Sequence, residues 1–407
     1  MVYRSHYQVT GLPKAGGHNN FFGEVNMDML LAENSPIRQQ LLEQKLAQFK
    51  DPKLANVLSA FIRSSVDLYP CANEDYAQLG NSRLGGLPDL PVGMDYPVTL
   101  VGREEMLDGY VESFGHTREF INEHWREDWQ DDWEADEAHL WDWDEAAQAF
   151  RVPMQFIAQI NCSELKAFQY YLPREGRLLF FLERWRFSEM LRGHVYYVAE
   201  DQQLNSGKTI VEPKFDEAVC ANYEYEAAYQ LQGIASIKMI ATDMINNDNP
   251  HLVGLAKARL QALPEPQQAM VLEALEVVDD ELAPEWQEQL KGYELIQLNE
   301  HGFIPGQILT QSQWANTDWQ SPNLQALLVP EQPLPYYDGI ASINSHGDSR
   351  YKAPELHAAA ELGGNAEDYL VLFKVLYSEH SMRLNFIVHR EDLTLGRFDR
   401  IYCIYDY

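Results

Sequence analysis

Phe156-Ile157-Ala158-Gln159-Ile160-Asn161, followed after a loop by Gly176-Arg177-Leu178-Leu179-Phe180-Phe181-Leu182, decides the fold. Both are short apolar runs rich in β-branched and aromatic residues and bounded by turn formers, the pattern of buried strands. The first extends to Val152–Asn161, and Arg177–Glu183 and His194–Ala199 come next as two more strands. The C-terminus repeats the theme with strands expected over Tyr369–Leu376, Leu384–His389 and Arg400–Tyr405. Gly176–Leu182 is echoed by Met382–Val388, and each comes after an apolar strand, Phe156–Ile160 in one case and Leu370–Leu376 in the other. Two related halves sharing one core would explain the echo. Chance similarity between two apolar strands would explain it equally simply.

Helical signals lie outside these strands. Ser35-Pro36 opens Ile37–Phe49 and Asp51-Pro52 opens Lys53–Val66, each placing a capping side chain before a proline at the first helical position. Leu54, Val57, Leu58, Phe61 and Ile62 form an apolar stripe at helical spacing. Residues 103–150 and 244–291 also read as helix, the latter with Leu255, Ala258, Leu263, Val271, Leu275 and Val278 on its apolar faces. The expected fold is therefore α+β. A predominantly antiparallel β core of two related halves would span 71–407, after an N-terminal helical segment at 1–70. An acidic helical insertion at 98–150 and a second at 244–292 would interrupt the core.

The chain has 407 residues, 45% apolar and 12% aromatic, enough to bury a large core. Its 62 Asp and Glu outnumber 31 Lys and Arg, for a net charge of −31. Such a field repels nucleic acid and anionic membrane and steers basic partners; it also simply aids solubility. Cys71, Cys162, Cys220 and Cys403 are far apart, so neither a zinc site nor a disulfide framework is expected. No apolar leader and no apolar run of about 18 residues occurs, so a cytoplasmic protein is expected.

Between the helices and the first strand, residues 80–97 carry Gly80, Gly85, Gly86, Pro88, Pro91, Gly93 and Pro97, which break regular structure. Ser82-Arg83-Leu84-Gly85-Gly86-Leu87-Pro88-Asp89-Leu90-Pro91 resembles the glycine-loop motif of YwqG-like proteins, and Phe156–Asn161 resembles the strand that comes after it in that family. Leu172-Pro173-Arg174-Glu175-Gly176, the turn at Tyr229–Gly233, and Arg390-Glu391-Asp392-Leu393 with Asp399-Arg400-Ile401-Tyr402 continue the resemblance. Met382 stands where that family usually has glycine, and the proline after the second glycine turn is absent. The resemblance implies the β fold and, since members often accompany bacterial toxin systems, a role in immunity. Gly85 and Gly86 suit a turn with positive φ, and Pro88 and Pro91 stiffen the segment after it. Gln159, inside an apolar strand, must find amide partners. It either locks the loop to the sheet or contacts a ligand.

Other motifs are decoys. Ser206-Gly207-Lys208-Thr209 lacks the P-loop glycine, since Gln202 stands there, and an extended stretch ending at Pro213 takes the place of a helix. Asp136-Glu137-Ala138-His139 comes before it, the reverse of helicase order. His116, His124 and His139 lack the spacing of helical metal ligands, so no metal and no cofactor is expected. No set of residues spells a catalytic constellation, and an enzyme is not expected.

The most individual stretch is Glu119–Glu145, with twelve carboxylates and five of the nine tryptophans. Trp125, Trp129 and Trp133 recur every fourth residue and share a helical face. They either pack on the core beneath a solvated acidic face or stay partly exposed as anchors for a partner. On the second reading Trp125, Glu127, Asp128, Trp129, Asp131, Asp132, Trp133 and Asp136 form the contact surface for a basic protein toxin, for example a nuclease. A small-ligand or carbohydrate site at the glycine loop, with Tyr336 and Tyr337, is the alternative function.

Overall fold

The computed structural model describes residues 62–102, 105, 143–144, 146–166, 168–169, 171–184, 191–212, 228–239, 264–266, 269, 341–344, 354–376 and 383–406. In chain order the strands are β1 (Ile62–Asn73), β2 (Arg83–Leu84), β3 (Leu90–Pro91), β4 (Val98–Gly102), β5 (Trp143–Asp144), β6 (Ala149–Pro153), β7 (Gln155–Asn161), β8 (Arg177–Leu182), β9 (Gly193–Val198), β10 (Leu204–Asn205), β11 (Tyr229–Met239), β12 (Ala341–Ile343), β13 (Tyr369–Leu376), β14 (Arg383–His389) and β15 (Ile401–Asp406). Short helices accompany them, α1 (Cys162–Leu165), α2 (Pro354–Leu362) and α3 (Arg390–Thr394), and Glu105, Glu265, Pro266 and Ala269 are helical as well. Among the described residues the fold is thus mostly antiparallel β, which overturns the expected α+β class.

The physical reason is clearest where a helix was expected over Lys53–Val66. From Ile62 the chain is a strand, paired on one edge with β11 (Val66↔Ala235, Leu68↔Gly233) and on the other with β12 (Val66↔Ile343, Leu68↔Ala341). From Val66 to Leu68 the strand has partners on both edges, so its backbone there is satisfied through the ladders, and Ser65–Tyr69 are buried. Distant partners therefore set the strand from Ile62 onward, and 53–61, which carry the rest of the expected helix, lie outside the described residues. The ends of the expected acidic insertion are strands as well: β4 pairs with β6, and β5 with the far end of β6. The expected helix Ile37–Phe49, nearly all of 244–292 and the centre of the acidic insertion lie outside the described residues.

The chain divides into two compact units. The first comprises Glu74–Ile160 and Arg177–Ala228 and carries the strand order β2-β7-β8-β9, the three-stranded sheet β4-β6-β5 and the pair β3–β10. Its apolar core joins Leu90, Tyr96, Met154, Phe156, Leu179 and Phe181. The second unit takes in β1, Asn161–Gly176 and Tyr229–Tyr407, with the strand order β15-β14-β13-β12-β1-β11. Here α2 seats Ala358 against Tyr369, Val371 and Ile387.

The internal echo has a counterpart in backbone geometry. In the first unit Arg83 faces Gln159, Leu84 faces Ala158, and the Gly85 N–H donates to Ile157 O at 2.9 Å. In the second, Ser342 faces Lys374, Ile343 faces Phe373, and the Asn344 N–H donates to Leu372 O at 3.3 Å. Both ladders end on a left-handed residue, Gly85 at φ 69° and Asn344 at φ 54°.

Gly233 tests the packing beneath β1 and β11. A Cβ there would sit 2.5 Å from Leu165 Cδ2 and 3.0 Å from Val66 Cγ1. Gly233→Val is expected to destabilise the protein by about 1–3 kcal/mol through overpacking, read as a lower midpoint in urea unfolding.

Candidate functional site

The glycine loop of the first unit folds around one buried carboxylate. Asp89 lies in the turn before β3, and both of its oxygens are engaged. Oδ1 accepts from the Gly207 N–H at 2.7 Å. Oδ2 accepts from the Gly80 N–H at 2.7 Å, from Gln159 Nε2 at 3.2 Å and from Arg83 Nη2. Asp89, Arg83 and Gln159 are each fully buried. An ionised carboxylate can sit there because its lone pairs meet directed donors and a guanidinium.

Gln159 completes the closure from β7. Its Oε1 accepts from the Asp89 N–H at 3.0 Å, and its Nε2 donates to Asn81 O at 2.9 Å as well as to the carboxylate. The amide thus ties both ends of the loop to the sheet. Arg83 is held as fully. It donates to Asn81 Oδ1 at 2.8 Å and Leu87 O at 3.1 Å, its Nε lies 3.4 Å from Glu74 Oε2, and its guanidinium sits 4.9 Å from the centre of the Tyr76 ring. That last geometry is a cation–π contact. Tyr76 Oη in turn accepts from the Leu87 N–H at 3.0 Å.

Ser206–Thr209 closes the far side. Gly207–Thr209 is a single 3₁₀ turn. Its amides are used internally: Gly207 N–H to Asp89, Lys208 N–H to Ser206 Oγ at 3.3 Å and Thr209 N–H to Ser206 O at 2.8 Å. A carboxylate of the chain itself therefore meets the backbone N–H that a phosphate-loop reading of the sequence would give to phosphate. Glycine is required at 207, because a Cβ would come within 2.5 Å of Leu87 O.

Of the residues singled out from sequence, Gly85, Gly86, Pro88, Pro91 and Gln159 come together in this loop and its sheet. Gly85 and Gly86 both adopt φ 69°, Pro88 is buried, and Pro91 pairs with Leu204. Trp125, Glu127, Asp128, Trp129, Asp131, Asp132, Trp133 and Asp136 lie outside the described residues, as do Tyr336 and Tyr337. Sequence reasoning missed Asp89, Arg83, Glu74 and Tyr76. The signal available was Gln159 itself: a buried amide demands a donor and an acceptor nearby, and Arg83 and Asp89 stand within the quoted motif.

The second unit repeats the ladder; 345–353, which stand where the glycine loop does in the first unit, lie outside the described residues. At the equivalent row stand Ser342, Lys374 and Asn385, all buried and facing one another across β12, β13 and β14. Among the described residues no group of three or more His, Cys, Asp or Glu is arranged to hold a metal. No helix there is long and apolar enough to cross a membrane. Cys162 and Cys403 are buried and not in disulfides, and burial pushes the Cys403 thiol pKa well up.

The chain belongs to the family described as a domain of unknown function, DUF1963, whose model matches residues 82–406. The match opens at the glycine loop and runs through β15, so β1 stands outside it. No curated protein matches the chain.

Removing one partner of the closure should cost more than removing both. Asp89→Ala leaves the Arg83 guanidinium buried beside a lost counter-charge and is expected to cost about 3–5 kcal/mol. Gln159→Leu strands the Asp89 N–H and Asn81 O and is expected to cost about 1–3 kcal/mol. The double variant Arg83→Met with Asp89→Leu should lie closer to the parent than Asp89→Ala. Urea unfolding of the four proteins reads the order directly.

Proposed function

We propose, proceeding from that family membership and from the charge of the chain, that this is a non-catalytic immunity protein of the YwqG-like type. It would bind a basic protein toxin in the producer's cytoplasm and occlude its active site. The observation that carries this reading is the net charge of −31, with twelve carboxylates and five tryptophans gathered between Glu119 and Glu145. A toxin that acts on nucleic acid must present a cationic site to phosphates. An array of carboxylates can occupy the same positions, while tryptophans supply anchoring area. Single exposed pairs contribute only about 0–1 kcal/mol each; a complementary field mainly speeds encounter and excludes wrong partners.

The arrangement of the glycine loop supports a structural role there over a catalytic one. Its carboxylate, guanidinium and amide are directed at one another and at the loop backbone. The same engagement counts against a ligand pocket at Gly85 and Gly86, because the donors and acceptors such a pocket would use already hold the loop.

The test is an affinity capture of the tagged protein from its native cytoplasm at low and high salt. A parallel sample carries Glu127→Gln, Asp128→Asn, Asp131→Asn and Asp132→Asn. The expected result is one basic partner that arrests growth when expressed alone and not when co-expressed with this protein. Its capture should weaken with salt and with the four substitutions. Failure to capture or neutralise any toxin from cells expressing neighbouring toxin genes would overturn the reading.

A further inference from the structure

A row of polar side chains crosses the sheet of the second unit. Asp67 on β1 is paired with Ser342 on β12, Ser342 with Lys374 on β13, and Lys374 with Asn385 on β14. Directly paired residues of antiparallel strands share a face of the sheet, with Cβ atoms about 4.5–5.5 Å apart. The four side chains therefore stand side by side in the order carboxylate, hydroxyl, amine, amide. All four are buried, Asp67 and Asn385 completely. β15 continues the row with the apolar Ile404, opposite Asn385. Ser342 Oγ and Asn385 Oδ1 are buried and meet no hydrogen-bond partner, and Asn385 Nδ2 reaches Arg383 O only at 3.5 Å. Buried polar atoms are ordinarily satisfied, so a hydroxyl and an amide left in this state on either side of a lysine call for a role beyond packing.

We propose that Lys374 and Asn385 join in an isopeptide bond, with Ser342 and Asp67 as the proton relay. The order of the row is that of an acyl transfer. A lysine amine is a nucleophile once it has given up a proton, and an asparagine side chain is an acyl group whose leaving group is ammonia. A serine hydroxyl both donates and accepts, so Ser342 passes a proton from the Lys374 ammonium to the Asp67 carboxylate. Lys374 Nζ then attacks Asn385 Cγ, since a lysine side chain is long enough to cross to the facing residue of the next strand. The bond that forms is Nζ–Cγ. The bond that breaks is Cγ–Nδ2, and its electron pair leaves with the nitrogen. That nitrogen takes one proton from the attacking amine and one back from Asp67, and departs as ammonium. Asp67 is again a carboxylate, and nothing is oxidised or reduced. Amines attack amides very slowly in water. Holding the two groups opposite each other supplies proximity, and well-oriented intramolecular pairs reach effective molarities on the order of 10⁵–10⁸ M.

The bond does not depend on the immunity reading. It is tested on the full chain, purified folded and then denatured, by intact mass and by tandem mass spectrometry of a tryptic digest. The mass is expected to fall below that of the sequence by one ammonia, and the digest to contain the Lys374 and Asn385 peptides joined through their side chains. Lys374→Met, which keeps the length and removes the amine, should restore the full mass. Asp67→Asn, which keeps the shape and removes the base, should leave the pair unlinked. Near-UV circular dichroism checks that both variants fold. A parent of full mass would overturn the proposal. So would ammonia loss without the linked peptide, which marks an asparagine cyclised on its own backbone. A link that persists in folded Asp67→Asn would overturn the relay. The digest of the parent decides the bond itself whether or not either variant folds.

Discussion

The Asp89 carboxylate, enclosed by Arg83, Gln159 and the N–H groups of Gly80 and Gly207, is the constraint on which the first unit is arranged. Transferring an ion from water to a protein interior costs several kcal/mol even after relaxation, and the cost is offset only when its hydrogen-bonding capacity is filled. Each donor here comes from a different stretch of chain: the turn before β2, β2 itself, β7 and the 3₁₀ turn after β10. None can leave without exposing the carboxylate to an unfilled site, so the segments are held as a set. An apolar cluster of the same volume would contribute as much stability and would accept many loop conformations. A charged centre with directed donors accepts very few. Its value is in conformational specificity more than in net energy.

The second unit keeps the backbone part of this arrangement with different side chains in the paired row. The register of β12 with β13 and the bond from Asn344 N–H to Leu372 O reproduce those of β2 with β7. These interactions belong to the main chain, so almost any sequence of suitable polarity preserves them. Arg83 and Gln159 are replaced at the equivalent positions by Ser342 and Lys374. A serine is too short to reach a carboxylate as Arg83 does, and a lysine lacks the acceptor with which Gln159 holds the Asp89 N–H. Repetition therefore survives in the ladder, while the side chains of its paired row differ. That explains why the sequence echo is confined to apolar strands.

The same distinction sets how much of the structure was legible in the sequence. β7, β8, β13 and β14 announce themselves because strands buried on both faces are continuous apolar runs. β1 does not, since Ser65 and Asp67 interrupt its apolar residues and its strand state is set by β11 and β12, far away in sequence. Local caps and prolines around Asp51 argued for a helix that, from Ile62 onward, loses to those pairings. In the site, the glycine turn and Gln159 could be read, because Gly and a strand-bound amide have few alternative explanations. Asp89 and Arg83 could not, because charged loop residues are ordinarily solvated. Nothing local reveals that Gly207, 118 residues from Asp89, completes the enclosure. The phosphate-loop likeness of Ser206–Thr209 is a true reading of anion-binding backbone with the wrong anion.

The ion pairs inside the units leave the surplus of acid uncompensated. Arg83 with Asp89, Arg184 with Glu212 and Arg397 with Asp392 each remove one charge of either sign from the outward field. The remaining charges therefore carry the whole net of −31. Mutual repulsion among them works against the compact state, and the buried Arg83–Asp89 pair, neutral as a unit and shielded from solvent, is not weakened by it. A basic partner would relieve that repulsion as it binds. Any ligand that prefers the folded chain stabilises it in proportion to its affinity and concentration. In such a protein, tolerance of excess negative charge and readiness to capture a cationic surface are two consequences of one electrostatic imbalance.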